Sequence, residues 1–219
     1  MPPKSKKPWQ RGQKAKGKIR PLRRILILCE DEKSSVLYLK KFPVDRDVVV
    51  IDCEGTGKNT DSLMEEAIER KNVAARDGQP YQQIWVVFDR DSFPPQNFNR
   101  AFDLARSHRD IVACWSNECF ELWYLLHFQY QNTAMDRERI FEEVGKKVGR
   151  KYEKNDGSIY EALEEKLSMA LQNSDKLYQL NEKNKTSWEN PSTKVHDLVR
   201  MLREFDPKNL NDGNDADRS

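Results

Sequence analysis

Short apolar runs alternate along the chain with longer stretches in which apolar residues recur every three or four positions. The apolar runs are residues 25–29, 48–51, 84–88 and 111–115. Each is shorter than a typical helix and lacks the polar alternation of a half-exposed strand, so each predicts a strand buried on both faces. Strands that alternate with helices predict an α/β fold, with a parallel sheet of about four strands and helices on both faces.

The segments between the apolar runs carry helical signals. Ser34 or Ser35 is predicted to cap a helix after the first strand, and a second helix is predicted to begin near Thr60. After the fourth strand, Ser116 or Asn117 is predicted to cap a helix that runs to about residue 128. After the third strand, four residues have the spacing of a helix that packs one face on the core: Phe98, Ala101, Phe102 and Ala105.

From residue 131 onward the pattern is helical. One helix is predicted around Ile140, a longer one around Leu163, and a last one that Asn190 or Ser192 caps. The predicted organisation is a basic arm at 1–24, an α/β core at 25–130, a helical extension packed on that core at 131–205, and an acidic tail at 206–219. The arm and the tail are poor in aliphatic residues, so we expect both to be disordered.

The net charge of +2 conceals an asymmetry between the arm and the rest of the chain. Residues 1–24 hold ten Lys or Arg and no Asp or Glu, so the remainder carries a net charge of −8. Such an arm can neutralise phosphates, and its Trp9 can stack on a base. The candidates for nucleic-acid binding are Lys14, Lys16, Lys18, Arg20, Arg23 and Arg24. The alternative is a disordered tail that only solubilises the protein.

Several functional classes are disfavoured by the composition. No apolar run approaches the ~20 residues needed to span a bilayer, and the N-terminus lacks the apolar core of a signal peptide. We therefore expect a cytoplasmic protein with no membrane contact. The cysteines have no CxxC spacing and are expected to be reduced and mostly buried, not bound in disulfides or to zinc: Cys29, Cys53, Cys114 and Cys119.

Acidic residues follow the predicted strands at the edge of a parallel sheet where function usually collects. The third strand ends in Asp89 and Asp91, and two carboxylates at i and i+2 of an extended segment point the same way. Glu30 follows the first strand, and Glu121 lies in the helix after the fourth. Four acids in one cleft repel each other unless cations neutralise them. Mg²⁺ (or Mn²⁺) is the expected ion because it prefers oxygen ligands. A solvated turn is the alternative for the two aspartates.

Further residues near these motifs are candidates for auxiliary roles: Glu32, Lys33, Asn117, His127 and Lys194. Lys33 and Lys194 could hold a phosphate or stabilise developing negative charge, and exposed salt bridges are the alternative. His127 could act as an acid or base near neutral pH. It lies nearly two helical turns beyond Glu121, however, and this distance favours a core or surface hydrogen bond.

Two other motifs suggest phosphate chemistry. Residues 55–58, GTGK, resemble part of a P-loop, but no Gly lies five positions before Gly57 and Asn59 replaces the Ser or Thr, so we reject a P-loop. Residues 89–92, DRDS, resemble the start of a haloacid-dehalogenase phosphatase motif with Asp89 as nucleophile. That class is expected to carry the motif after the first strand, so it stays a minor rival.

Four motifs in order resemble the RloB-like family. They are LCEDEKSS after the first strand, VFDRDSF after the third, then SNECFELWYLLHF and ENPSTKV. Members of that family read close to CEGEKTE, FDxD, SNPCFExWLLLH and NPST at these places. The resemblance covers roughly residues 25–205, with two departures: Asp31 stands where Gly is usual, and Glu118 where Pro is usual.

The resemblance implies a Toprim fold, the metal-binding α/β fold of topoisomerases, primases and overcoming-lysogenization-defect nucleases. It implies Glu30 as the Toprim glutamate, Asp89 and Asp91 as the DxD pair, and Glu121 as the acid of the third motif. Glu30 is also a candidate general base. The family occurs beside restriction–modification genes and in phage-defence or abortive-infection operons, often with an ABC/AAA-type ATPase.

The expectation is therefore a Mg²⁺-dependent nuclease that cuts DNA or RNA, tRNA included, under the control of such an ATPase. The alternative is a non-catalytic Toprim-like subunit that binds nucleic acid or regulates the ATPase. A homodimer is left open.

Overall fold

The computed structural model describes residues 22–90, 95–186 and 189–210. Among these residues, the strands of one sheet are β1 (Arg23–Cys29), β2 (Val49–Gly55), β3 (Gln83–Asp89), β4 (Ile111–Asn117) and β5 (Ser192–Thr193). The strand order is β2-β1-β3-β4-β5. The first four strands are parallel, and β5 pairs antiparallel with β4. This confirms the predicted α/β fold and adds one short strand to the predicted sheet.

Helices occupy the segments for which the sequence predicted them, although several of their starts differ from the prediction. They are α1 (Ser34–Leu39), α2 (Thr60–Arg76), α3 (Pro95–Ser107), α4 (Glu121–Leu126), α5 (Arg137–Val148), α6 (Ile159–Leu163), α7 (Leu167–Asn184) and α8 (Val195–Arg203). A 3-10 turn at Glu164–Lys166 separates α6 from α7, where the apolar spacing predicted one longer helix.

Helices cover both faces of the sheet. On one face, Leu26 and Leu28 of β1 pack with Leu63 of α2 and Ala101 of α3. On the other face, Ile27 of β1 belongs to a cluster that includes residues of α1, α4, α5, α7 and α8. Successive strand residues point to opposite faces. The two-sided core therefore explains why the strands are uninterrupted apolar runs.

Strand β1 begins two residues before the predicted start. The N–H of Arg23 donates to the carbonyl of Val48 at 3.0 Å, and the Arg24 guanidinium pairs with Asp52 at 3.4 Å. Arg24 also lies over the Tyr81 ring, 4.5 Å from its centroid. The assignment of Arg23 and Arg24 to a disordered arm is therefore wrong, because both belong to the sheet. The other candidate residues of the arm, 14–20, lie outside the described residues.

The predicted cap at Ser116 or Asn117 is wrong, because both residues belong to β4. The Ser116 hydroxyl is 2.9 Å from the Thr193 hydroxyl across the β4–β5 pair. Helix α4 begins at Glu121, and Phe120 occupies its N-cap position without a side-chain hydrogen bond. Small polar residues favour both caps and paired strand ends, so the sequence signal was ambiguous here.

The predicted cap at Asn190 or Ser192 is also wrong. The Asn190 amide accepts a hydrogen bond from the Met135 N–H at 3.2 Å and donates to the Met135 carbonyl at 2.7 Å. Ser192 lies in β5, and α8 begins only at Val195. The Thr193 hydroxyl oxygen accepts the N–H of Val195 at 3.2 Å. These residues join the sheet to the helical extension.

All four cysteines are buried and free, which confirms the predicted burial. Within residues 22–90, 95–186 and 189–210, no helix combines the length and the apolar character needed to cross a membrane.

His127 lies in the core between α1 and the end of α4. Its Nε2 is 3.3 Å from the Tyr38 hydroxyl, and its Nδ1 is 2.9 Å from the carbonyl oxygen of Trp123. The ring is fully buried, and this burial lowers its pKa to about 4. The contacts match the core hydrogen bond that the sequence spacing favoured.

We expect His127 to make the fold acid-sensitive between pH 6.5 and 4. In this range the unfolded chain protonates the imidazole and the folded protein does not, so the free energy of unfolding falls as the pH falls. The expected loss is roughly 3 kcal/mol by pH 4. Urea unfolding at several pH values should show this slope in the wild type and a shallower one in His127→Gln. His108→Gln, at a partly exposed histidine, serves as the control, and an unchanged slope in His127→Gln would contradict the assignment.

Candidate acidic site at the carboxyl edge of the sheet

The strand order reverses between β1 and β3, and the carboxyl ends of these two strands form the edge where ligands bind in open α/β sheets. Glu30 follows β1 directly, and its N–H donates to the carbonyl of Val87 in β3 at 2.8 Å. Asp89 is the last residue of β3 and pairs in register with Ser116 of β4. The topology therefore brings two of the predicted acids to one crevice.

Asp89 is a largely buried carboxyl group of this crevice with a strongly shifted pKa. Its side chain is 16% exposed, and one of its oxygens lies 3.2 Å from a guanidinium nitrogen of Arg137. Burial raises the pKa of Asp89 well above the usual range for a carboxyl. The negative charges of Glu121 and Glu30 add to the rise, and the positive charges of Arg137 and Lys154 oppose it. Glu121 and Glu30 therefore lie close enough to Asp89 for their charges to act on its pKa.

Glu121 is fully buried at the start of α4. Its Oε1 accepts hydrogen bonds from the Ser34 hydroxyl at 2.7 Å and from the Tyr152 hydroxyl at 2.9 Å. Its Oε2 is buried and has no hydrogen-bond partner of ordinary geometry in the described part of the chain. A buried carboxylate oxygen without a partner is costly. The arrangement therefore suits a positive ligand at Oε2.

The loop that carries Glu30 lies against the loop after β2. The N–H of Gly57 donates to the Glu30 carbonyl at 3.1 Å, and the Thr60 hydroxyl is 3.4 Å from the Glu30 carboxylate. A Cβ at Gly55 would lie 2.4 Å from the Cα of Glu32, so only glycine permits this approach. The close packing holds Glu30 at the crevice.

The motif residues after Glu30 adopt positions that differ from the predicted ones. Ser34 and Ser35 lie inside α1, and Lys33 occupies the N-cap position without a side-chain hydrogen bond. Asp31 makes the capping contact instead, because its carboxylate accepts the N–H of Ser35 at 3.0 Å. The predicted cap at Ser34 or Ser35 is therefore wrong. Asp31, which stands where the motif it resembles has glycine, therefore stabilises the first turn of α1.

Two cations of the helical extension reach the acids, and sequence reasoning missed both. Arg137 is the first residue of α5, and Lys154, between α5 and α6, lies 3.8 Å from Asp31. Arg137 is 48 residues from Asp89 in sequence, so no local spacing connects them. The helical extension therefore supplies positive charge beside the acids of the crevice.

A family model described as RloB-like protein matches residues 25–202. The match spans the sheet and most of the helical extension. This chain belongs to the RloB-like family. No curated protein matches it. Membership confirms the family that the four motifs indicated, and the mostly parallel sheet flanked by helices is consistent with a Toprim-like fold.

The other predicted site residues of this RloB-like chain lie in varied surroundings. Asn117 is buried at the end of β4, whereas Glu32 and Lys33 are exposed. Lys194 pairs with Asp197 at 2.9 Å and lies 3.7 Å from the centroid of the Tyr178 ring. Lys194 thus has the salt bridge that was the alternative to phosphate binding.

No metal-binding group of three His, Cys, Asp or Glu side chains is found among the residues that the structure describes. Asp91, the fourth predicted acid, lies outside those residues. One oxygen of Asp89 is also engaged by Arg137. A metal site in this RloB-like protein would therefore need a ligand beyond Glu30, Asp89 and Glu121, and Asp91 is the candidate.

We expect Tyr152→Phe to lower the free energy of unfolding by about 1–3 kcal/mol, because it removes one of the two hydroxyls that stabilise the buried Glu121 carboxylate. Tyr160→Phe is the matched control. This second buried tyrosine packs on the rings of Tyr38 and Phe42. Chemical denaturation measures both variants. Equal losses would show that the Tyr152 hydroxyl contributes nothing specific.

Proposed function

We propose that this protein is a Mg²⁺-dependent Toprim-type nuclease that acts in bacterial anti-phage defence under the control of a partner ATPase. One observation carries the proposal. Asp89 lies at the carboxyl edge of the sheet where the strand order reverses, and the charges of Glu30 and Glu121 both raise its pKa. Clustered carboxylates of this kind bind divalent cations that act on phosphates. The defence setting and the ATPase rest on the family resemblance alone.

The chemistry of the donor set supports a hard divalent cation. The donors are carboxylates, and among the described residues the buried Oε2 of Glu121 has no hydrogen-bond partner of ordinary geometry. Glu30, Asp89 and Asp91 would hold Mg²⁺ or Mn²⁺, with Glu121 completing or orienting the site. Such an ion polarises a phosphoryl oxygen and activates water, which is the chemistry of metal-assisted phosphodiester hydrolysis.

Residues of the chain itself prepare this site for a cation and a phosphate. Arg137 compensates the charge of Asp89 and can also attract a phosphate. Ser34 and Tyr152 bind Oε1 of Glu121 and so fix the direction of Oε2. These contacts come from different segments of the chain, so the charge cluster depends on the folded extension as well as on the sheet.

Metal binding can be tested by thermal unfolding. We expect millimolar Mg²⁺ to raise the melting temperature of the full chain, since a ligand that binds only the folded state stabilises it. Asp89→Asn should abolish the increase. Asp110→Asn should retain it, because Asp110 precedes β4 at the opposite edge of the sheet and pairs with Lys71. An unchanged melting temperature in the wild type would count against the nuclease.

The second candidate function is a non-catalytic Toprim-like subunit that binds nucleic acid or regulates the ATPase. Two observations favour it: Arg137 already pairs with Asp89, and the described residues contain no group of three metal ligands. In this case Mg²⁺ would leave the melting temperature unchanged. Nucleic-acid binding would also be the same in Mg²⁺ and in EDTA.

A further inference from the structure

The end of α5 and the residues that follow it carry a concentration of positive charge in an otherwise acidic body. Residues 146–154, KKVGRKYEK, hold five Lys or Arg and one Glu. The segment packs closely on α5, because a Cβ at Gly145 would lie 2.9 Å from the carbonyl oxygen of Arg150. The charged side chains are therefore presented on a fixed part of the fold.

Two of these cations are exposed and only weakly engaged. Arg150 pairs with Asp156 at 2.6 Å. The Lys146 side chain is 65% exposed and pairs with Glu143 at 2.7 Å. The Lys151 side chain is 87% exposed, and its contact with Glu153 is 3.5 Å long. Exposed pairs of this kind contribute little, so Lys146 and Lys151 can bind an anion.

A groove of about 680 Å³ lies between α5 and residues 149–152, and its lining includes Lys146, Arg150 and Lys151. Its lining includes Phe141 and Tyr152, whose ring centroids are 5.3 Å apart. Glu138 and Glu142 line it toward the amino end of α5. An apolar groove next to a basic surface is typical of sites that bind a nucleic-acid strand through its phosphates and one unpaired base.

The same segment contacts the acidic crevice. The hydroxyl of Tyr152 donates to Glu121, and Lys154 lies 3.8 Å from Asp31. The segment that carries Lys151 therefore also contacts the proposed site of phosphodiester chemistry.

We propose that residues 146–154 and the adjoining groove form the surface that binds single-stranded nucleic acid, with its phosphates on Lys146 and Lys151 and a base in the groove. The inference rests on the proposed function and names its substrate class. A duplex fits less well, because its bases are stacked and paired and cannot enter a groove.

Fluorescence anisotropy of the full chain with a labelled oligothymidylate tests this surface. EDTA is included, so the result does not depend on metal or cleavage. We expect Lys146→Gln combined with Lys151→Gln to raise Kd about tenfold or more at low salt, and to reduce the slope of log Kd against log salt by about 1.4. The control combines Lys40→Gln with Lys208→Gln and removes equal charge at exposed lysines outside the segment. It should leave Kd unchanged.

Three results would overturn the proposal: an unchanged Kd in the first double variant, equal losses in both double variants, or a duplex that binds as tightly as the single strand. Binding to anionic vesicles without binding to the oligonucleotide would also overturn it. The Mg²⁺ effect on melting is measured separately. Failure of this surface and failure of the nuclease are therefore distinguishable.

Discussion

Asp89→Asn is expected to reduce Mg²⁺-dependent cleavage of nucleic acid by about a thousandfold or more, with no loss of folding. The carboxylate at the end of β3 is a proposed metal ligand, and a catalytic metal contributes several kcal/mol to transition-state stabilisation. Asparagine keeps the shape of the side chain and removes its charge. Cleavage should be measured with wild type, Asp89→Asn and Asp110→Asn in Mg²⁺ and in EDTA.

The stability of Asp89→Asn is an independent measurement, and it is not expected to fall with the cleavage activity. Burial raises the pKa of Asp89 in the folded protein. Without metal, the free energy of unfolding contributed by this carboxyl therefore falls as the pH rises from its ordinary pKa toward the raised one. The asparagine variant should lack this fall and should be at least as stable as the wild type at neutral pH. Cleavage at the wild-type rate by a folded Asp89→Asn would remove the residue from the site.

Glu121→Gln is expected to reduce cleavage about a hundredfold, because the buried carboxylate is proposed to complete or orient the metal site. Glu118→Gln is the matched control, since Glu118 is three residues away and accepts a hydrogen bond from Asn190 at 3.2 Å. The control should retain most of the activity. Equal activity in Glu121→Gln and the wild type would assign Glu121 a structural role only.

Glu121→Gln should also lower the pKa of Asp89. The negative charge of Glu121 is the largest electrostatic contribution to the raised pKa, after burial itself. Carboxyl titration of Asp89 by NMR, in the wild type and in Glu121→Gln without metal, measures this coupling directly. An unchanged pKa would mean that the charge of Glu121 does not act on Asp89.

The sheet could be predicted from the sequence because its signal is local and strong. Four apolar runs gave the four parallel strands, since a strand buried on both faces needs apolar residues at every position. The acids at the strand ends followed from the same pattern, because parallel strands bring their carboxyl ends to one edge. Glu30 and Asp89 lie at that edge, as predicted.

The partners of the acids could not be predicted, because they come from distant parts of the chain. Ser34 and Tyr152 are 87 and 31 residues from Glu121, and Arg137 is 48 residues from Asp89. No spacing rule connects such pairs. The predicted cap at Ser116 failed for a different reason: Ser116 carries the polar signal of a helix start, but its hydroxyl pairs with that of Thr193 between β4 and β5.

Anomalous diffraction from crystals soaked in Mn²⁺ would locate the proposed metal. We predict a peak at the carboxyl edge of the sheet, with oxygen ligands from Glu30 and Asp89, and no such peak in Asp89→Asn. A fully occupied Mn²⁺ elsewhere, with Asp89 still paired to Arg137 alone, would contradict this prediction.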